Sequence, residues 1–139
     1  MHRALLFVIF VTMVCWLSAC DPGRSPETVS EEFLFRYFIE LNQAGALELC
    51  TGLAEKKLRQ EMELLQSVRM LPDLDLAKHK PFIDYELQST KNGPGEAVNF
   101  HYDVTIENQA GSTTQSEIVL TAVPREGKWR ITNFDTYTK

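Results

Sequence analysis

The sequence predicts an α+β fold in which N-terminal helices pack on a curved four-stranded antiparallel meander. Two observations carry this expectation. Before Met70 the apolar residues recur at helical spacing, whereas from Phe82 onward they alternate with polar residues at every second position. Three turn segments, "NGPG" at Asn92 to Gly95, "NQAG" at Asn108 to Gly111 and "PREG" at Pro124 to Gly127, divide the alternating half into four strands. Connections this short join antiparallel neighbours and leave no room for crossovers.

Ser25 and Pro26 read as an N-cap and the first helical position, and Glu27 places negative charge near the positive end of the helix dipole. Val29, Phe33, Tyr37 and Leu41, joined by Leu34 and Phe38, form a wide apolar stripe, with Gly45 as the expected stop. Phe35 and Ile39 fall outside that stripe. Either a curved sheet wraps this helix or part of it meets a partner. A short second helix is expected in "ALELCTGLA", broken near Thr51-Gly52, and a third in "EKKLRQEMELLQSVRM", with Leu58, Met62 and Leu65 inward and Pro72 ending it. His79, between two lysines, reads as an exposed loop histidine.

The strands follow from their alternation. Ile83, Tyr85 and Leu87 share one face of the first, and Val98, Phe100, Tyr102, Val104 and Ile106 one face of the second. "SEIVLTAV" makes the third. In the fourth, "KWRITNF", Trp129 and Ile131 share a face.

The N-terminus has a different texture. His2 and Arg3 precede a stretch without charge from Ala4 to Ala19, the layout of a signal peptide. The run is short for a permanent helical span, which needs about 20 apolar residues. Leu17-Ser18-Ala19-Cys20 resembles the lipobox of bacterial lipoproteins. That resemblance implies that a signal peptidase recognises Leu17, Ser18 and Ala19, that residues 1–19 are removed, and that Cys20 carries acyl groups such as palmitate. Residues 20–25 then form the lipidated cysteine and a tether, and residues 26–139 a single domain. More than one acyl chain gives stable anchoring where one is reversible. The alternatives are an ordinary signal peptide or an uncleaved anchor helix. The implied address is the bacterial cell membrane, facing the periplasm or exterior, and Asp21 leans toward the inner membrane.

Composition narrows the function classes. The chain carries 14 Lys+Arg against 19 Asp+Glu, a formal net charge of −5, and has no basic block. Nucleic acid demands clustered Lys/Arg for its phosphates, so it is not an expected partner. Of three cysteines, Cys15 leaves with the signal peptide and Cys20 takes lipid, so Cys50 has no intrachain disulfide partner. In "ALELCTGL" it reads as a small buried apolar residue.

"VSEEFLFRYFIELNQAGALELC", in which a first helix runs through a Gly turn into a short second one, and Gly127-Lys128-Trp129-Arg130-Ile131 on the last strand resemble the nuclear transport factor 2-like (cystatin-like) cone, over roughly Ser25 to Tyr137. More narrowly they resemble bacterial lipoproteins of unknown function built on it. The resemblance implies a sheet curved around the first helix and a conical cavity at one end. Its members include isomerases and cyclases as well as domains that only bind, so fold does not decide function.

An isomerase of that kind needs an inward carboxylate and an oxyanion donor. Tyr37 with His101 and Asp103 is the tempting set, but alternation with Phe100, Tyr102 and Val104 turns His101 and Asp103 to solvent. No catalytic residue is assigned. With only His79 and His101 left after cleavage, and no paired cysteines, no metal or cofactor is expected. Tyr37, Tyr85, Tyr102 and Trp129 are the candidate lining of a pocket for a small apolar ligand, against plain core packing. The expected function is a non-catalytic accessory or scaffolding protein, lipid-anchored at the cell envelope, with an envelope protein as partner. The alternatives are a binding module for an apolar ligand or a small isomerase or cyclase. A homodimer through the sheet is compatible with the sequence.

Overall fold

The computed structural model describes residues 23–69 and 80–139. The expected signal peptide with Leu17, Ser18 and Ala19, and Cys20, Asp21, Pro72 and His79, lie outside the described residues. The elements are α1 (Pro26–Leu34), a π-helical turn (Phe35–Ile39), α2 (Gln43–Leu47), α3 (Gly52–Arg69), and strands β1 (Phe82–Asn92), β2 (Val98–Glu107), β3 (Thr113–Arg125) and β4 (Lys128–Thr138). The four strands form one antiparallel sheet in the order β1-β2-β3-β4. The α+β meander expected from the sequence is therefore the architecture observed.

Ser25 caps α1, its Oγ accepting from the Thr28 N–H at 3.1 Å, and Pro26 takes the first helical position. The expected continuation to Gly45 does not occur. The Glu40 N–H reaches back to the Phe35 carbonyl at 2.9 Å, one residue further than in an α-helix, and the helix ends at Leu41 with φ +53°. Gly45 instead lies inside α2, whose cap is Asn42, the Oδ1 accepting from the Gly45 N–H at 2.9 Å. A Cβ on Gly45 would fall 2.6 Å from Asn42 Nδ2, so the glycine makes room for a cap where the sequence suggests a stop. The π turn adds a residue to the circuit and brings both Tyr37 and Phe38 against the core. Phe35 is left 46 % exposed and Ile39 half-buried.

The break at Thr51-Gly52 is present: Gly52 adopts φ +62° and opens α3, in which Leu58 is fully buried and Met62 and Leu65 are half-buried. The inner face of the sheet presents Phe100, Tyr102, Val104, Ile118, Leu120, Ala122, Ile131 and Phe134 to Val29, Phe33, Leu34, Ala46, Leu49, Ala54 and Leu58. Ile131 and Phe134 both reach this core although three residues apart, because Ala122 pairs with Ile131 and Thr121 with Asn133, leaving Thr132 as an extra residue. β4 is also bordered by the chain before α3. The Thr51 N–H donates to the Ile131 carbonyl and the Ile131 N–H to the Leu49 carbonyl, both at 2.9 Å.

The last hairpin is tighter than the "PREG" segment suggests. β3 runs through Arg125, and the turn is Glu126-Gly127 with φ of +51° and +74°, the all-positive geometry of a type I′ turn. β4 likewise continues past Phe134 to Thr138. Among the described residues no helix is long and apolar enough to cross a membrane.

Candidate functional site

The four aromatic residues singled out in the sequence do not share a cleft. Tyr102 is 1 % exposed in the core, its hydroxyl 2.8 Å from Ser30 Oγ. Because Ser30 spends its own proton on the Glu27 carbonyl at 2.9 Å, Tyr102 is the donor of that pair. Burial pushes the Tyr102 phenol up to about 12. Tyr85 meets Tyr102 edge-on at 6.1 Å, and its phenol is also raised, by burial first and then by the fields of Glu31 and Asp84. It borders a polar cleft shared with Asp103, Gln115 and Lys139. Tyr37 stacks on Phe33 at 5.6 Å and donates to Glu61 Oε2 at 2.7 Å, and burial and that carboxylate together raise its phenol well above the ordinary value. Trp129 lies elsewhere, beside the β3–β4 turn.

His101 and Asp103 lie on the sheet face away from the core. His101 Nδ1 is 3.0 Å from Glu117 Oε1, and Lys139 Nζ donates to Asp103 Oδ1 at 2.5 Å. Cys50 is buried, its thiol donating to the Ala46 carbonyl at 3.3 Å. Burial, reinforced by Glu55, pushes that thiol up to about 12 despite Arg130 nearby. Among the described residues no three His, Cys, Asp or Glu side chains converge where they could hold a metal ion.

A basic cleft of about 310 Å3 lies where the described chain begins, lined by Arg24, Arg36, Lys128, Trp129 and Arg130 together with Glu48, with Val29 and Leu49 as part of its apolar wall. The π turn supplies Arg36, the N-terminal segment Arg24, and the start of β4 Lys128, Trp129 and Arg130. The guanidiniums are held in place. Glu32 accepts from Arg24 Nη1 at 2.5 Å and from Arg36 Nη2 at 2.6 Å, and Arg36 Nη1 also reaches the Gly45 carbonyl at 2.7 Å and Glu48 Oε2 at 3.1 Å. Arg130 donates to the Glu48 carbonyl. Lys128 has no ion-pair partner among the described residues. Four cations thus gather around two carboxylates in a chain whose overall charge is −5.

Of these residues Trp129 is one of the expected pocket-lining aromatics, whereas the four cations are scattered along the chain and no run of basic residues signals them. The one local hint is "KWR", which places Lys128 and Arg130 on either side of an indole. The arrangement can hold an anionic group by charge and multiple N–H donors, with an aromatic wall beside it. No protein-family model, curated protein or solved structure matches this chain.

Proposed function

We propose that this protein is a lipid-anchored, non-catalytic accessory or scaffolding protein of the bacterial cell envelope, held through Cys20 and built on a nuclear transport factor 2-like cone. The observation that carries the reading is the lipobox Leu17-Ser18-Ala19-Cys20 a few residues ahead of Ser25, the cap of the first helix. The cone reading is supported by α1 packing against β2, β3 and β4 of a four-stranded meander. The accessory reading is supported by how the polar side chains are used: Tyr102 on Ser30, Tyr37 on Glu61, Lys57 on Asp135 and His101 on Glu117 are structural pairs. Phe35, 46 % exposed in the π turn, offers an aromatic contact for a protein partner. Anchoring raises the effective concentration of such a domain for a weak membrane-bound partner.

The test is expression of the tagged full chain in a bacterial host with radiolabelled palmitate, followed by fractionation and crosslinking in native membranes. The expected result is label in a membrane-bound protein, lost on Cys20→Ser, and a stoichiometric envelope protein captured in the anchored form. An unlabelled, freely soluble product would overturn the anchoring, and recovery of the labelled protein without a protein partner would overturn the accessory role.

A further inference from the structure

We propose that the cleft between Arg24, Arg36 and the β3–β4 hairpin is a binding site for the phosphate headgroup of an anionic membrane lipid. The inference deepens the anchoring reading and takes its lipid source from it. Three observations converge. The first is charge: four cations gather around two carboxylates in this cleft on a protein that is acidic overall, so the cleft attracts an anion. The second is preorganisation, because Glu32, the Gly45 carbonyl and the Glu48 carbonyl fix the guanidiniums of Arg24, Arg36 and Arg130, while Lys128 stays uncommitted to any described carboxylate.

The third is position. Gly23 lines the cleft and lies against the β3–β4 turn, where a Cβ would sit 3.9 Å from the Gly127 carbonyl oxygen. Cys20 is three residues earlier, a span of at most about 11 Å of extended chain. An acylated Cys20 therefore holds this end of the domain close to the bilayer surface. There Trp129 meets the interfacial zone that indoles favour, and basic side chains meet the negative potential of anionic lipids. Across the sheet the opposite end carries the β2–β3 turn, with Lys80 and Glu107 beside it.

The test uses the full chain with Trp16→Phe, which leaves Trp129 as the sole indole because the sequence holds 2 Trp. The protein, in zwitterionic detergent micelles at constant ionic strength, is titrated with phosphatidylglycerol, phosphatidylcholine or inorganic phosphate while Trp129 emission is followed. The expected result is a saturable blue shift with phosphatidylglycerol alone. Lys128→Glu should weaken it by on the order of tenfold, from the usual worth of a basic side chain at an anionic surface, while Lys80→Glu, the same charge change at the far end, leaves it unaltered. No response, or an equal loss in both variants, overturns the site. An equal response to inorganic phosphate overturns the lipid as its ligand. The mass of Cys20 separates this from the anchoring reading. An unacylated cysteine with the response retained removes the anchor only, and an acylated one with no response removes the site only.

Discussion

Ser30 and Tyr102, one on the first helix and the other on the second strand, share a buried hydrogen bond of 2.8 Å in which the phenol donates and the serine passes its own proton to the Glu27 carbonyl. The bond fixes α1 to the sheet at the least exposed part of the core. Ser30→Ala strands a buried phenolic proton and should cost about 1–3 kcal/mol, whereas Tyr102→Phe leaves Ser30 still bonded to Glu27 and should cost about 1 kcal/mol. The double variant should lose less than the sum of the two. Urea unfolding of the three variants checks all three statements.

The same phenol makes the fold sensitive to alkali. Its folded value of about 12 lies above the ordinary 10, so the native state holds its proton more tightly than the unfolded chain does. The stabilisation is complete below pH 10 and is lost as pH rises from 10 through 12. Tyr37 and Tyr85 shift in the same direction, so the expectation is comparative. The melting temperature of Tyr102→Phe should fall less steeply over that range than that of the natural chain.

Asp135 governs the acid side. Lys57 Nζ is 2.7 Å from its Oδ1, 2.7 Å from the Phe134 carbonyl and 2.9 Å from Asn133 Oδ1, joining α3 to β4. The lysine hydrogen bond holds the Asp135 carboxyl below its usual range. Stability from this pair is therefore present above the unfolded value of about 3.9 and disappears as pH falls through the folded one. Asp135→Asn and Lys57→Met should each flatten the decline of melting temperature between neutral pH and pH 2.5, and a decline as steep as in the natural chain would show that the pair contributes nothing.

The β3–β4 turn carries a glutamate where Asn fits better. Glu126 and Gly127 both adopt positive φ, a geometry for which Asn-Gly is the preferred pair. Glu126→Asn should raise stability by about 0.5 kcal/mol or more. Gly127→Ala should lower it by about 1–2 kcal/mol, since a Cβ is disfavoured in the left-handed region. Chemical denaturation midpoints measure both.

Cys50 should be chemically silent in the folded protein. The thiolate is the reactive species, and a buried thiol raised to about 12 supplies almost none of it at neutral pH. With Cys15→Ser and Cys20→Ser in the chain, a disulfide-exchange reagent at pH 8 should label Cys50 only at the rate of unfolding and completely in denaturant. Immediate labelling of the native protein would contradict the burial.

The parts of this fold legible in the sequence are those set by local chemistry. The Ser25-Pro26 cap, the break at Gly52, the alternation through Tyr102 and the turns at Gly95 and Gly111 each follow from residues a few positions apart. The end of the first helix was misplaced because Leu41, without a glycine's conformational licence, takes the left-handed position, and because Gly45 serves Asn42. The spacing of Ile131 and Phe134 was opaque for a related reason, since the extra residue at Thr132 exists only relative to Thr121 and Ala122 on the neighbouring strand. The basic cleft is a product of tertiary packing: Arg24, Arg36, Lys128 and Arg130 become neighbours only once the β3–β4 hairpin meets the first helix.

The two borders of the sheet differ in what they can accept. At β4 the stretch around Ile131 already exchanges hydrogen bonds with Leu49 and Thr51, and Lys57 sits on the Phe134 carbonyl, whereas β1 has no strand beyond it among the described residues. Strand addition can begin on one side and finds the other obstructed. Were two copies to join through β1, the occupied stretch of β4 would lie on the outer border of each, which disfavours growth of the shared sheet beyond a pair.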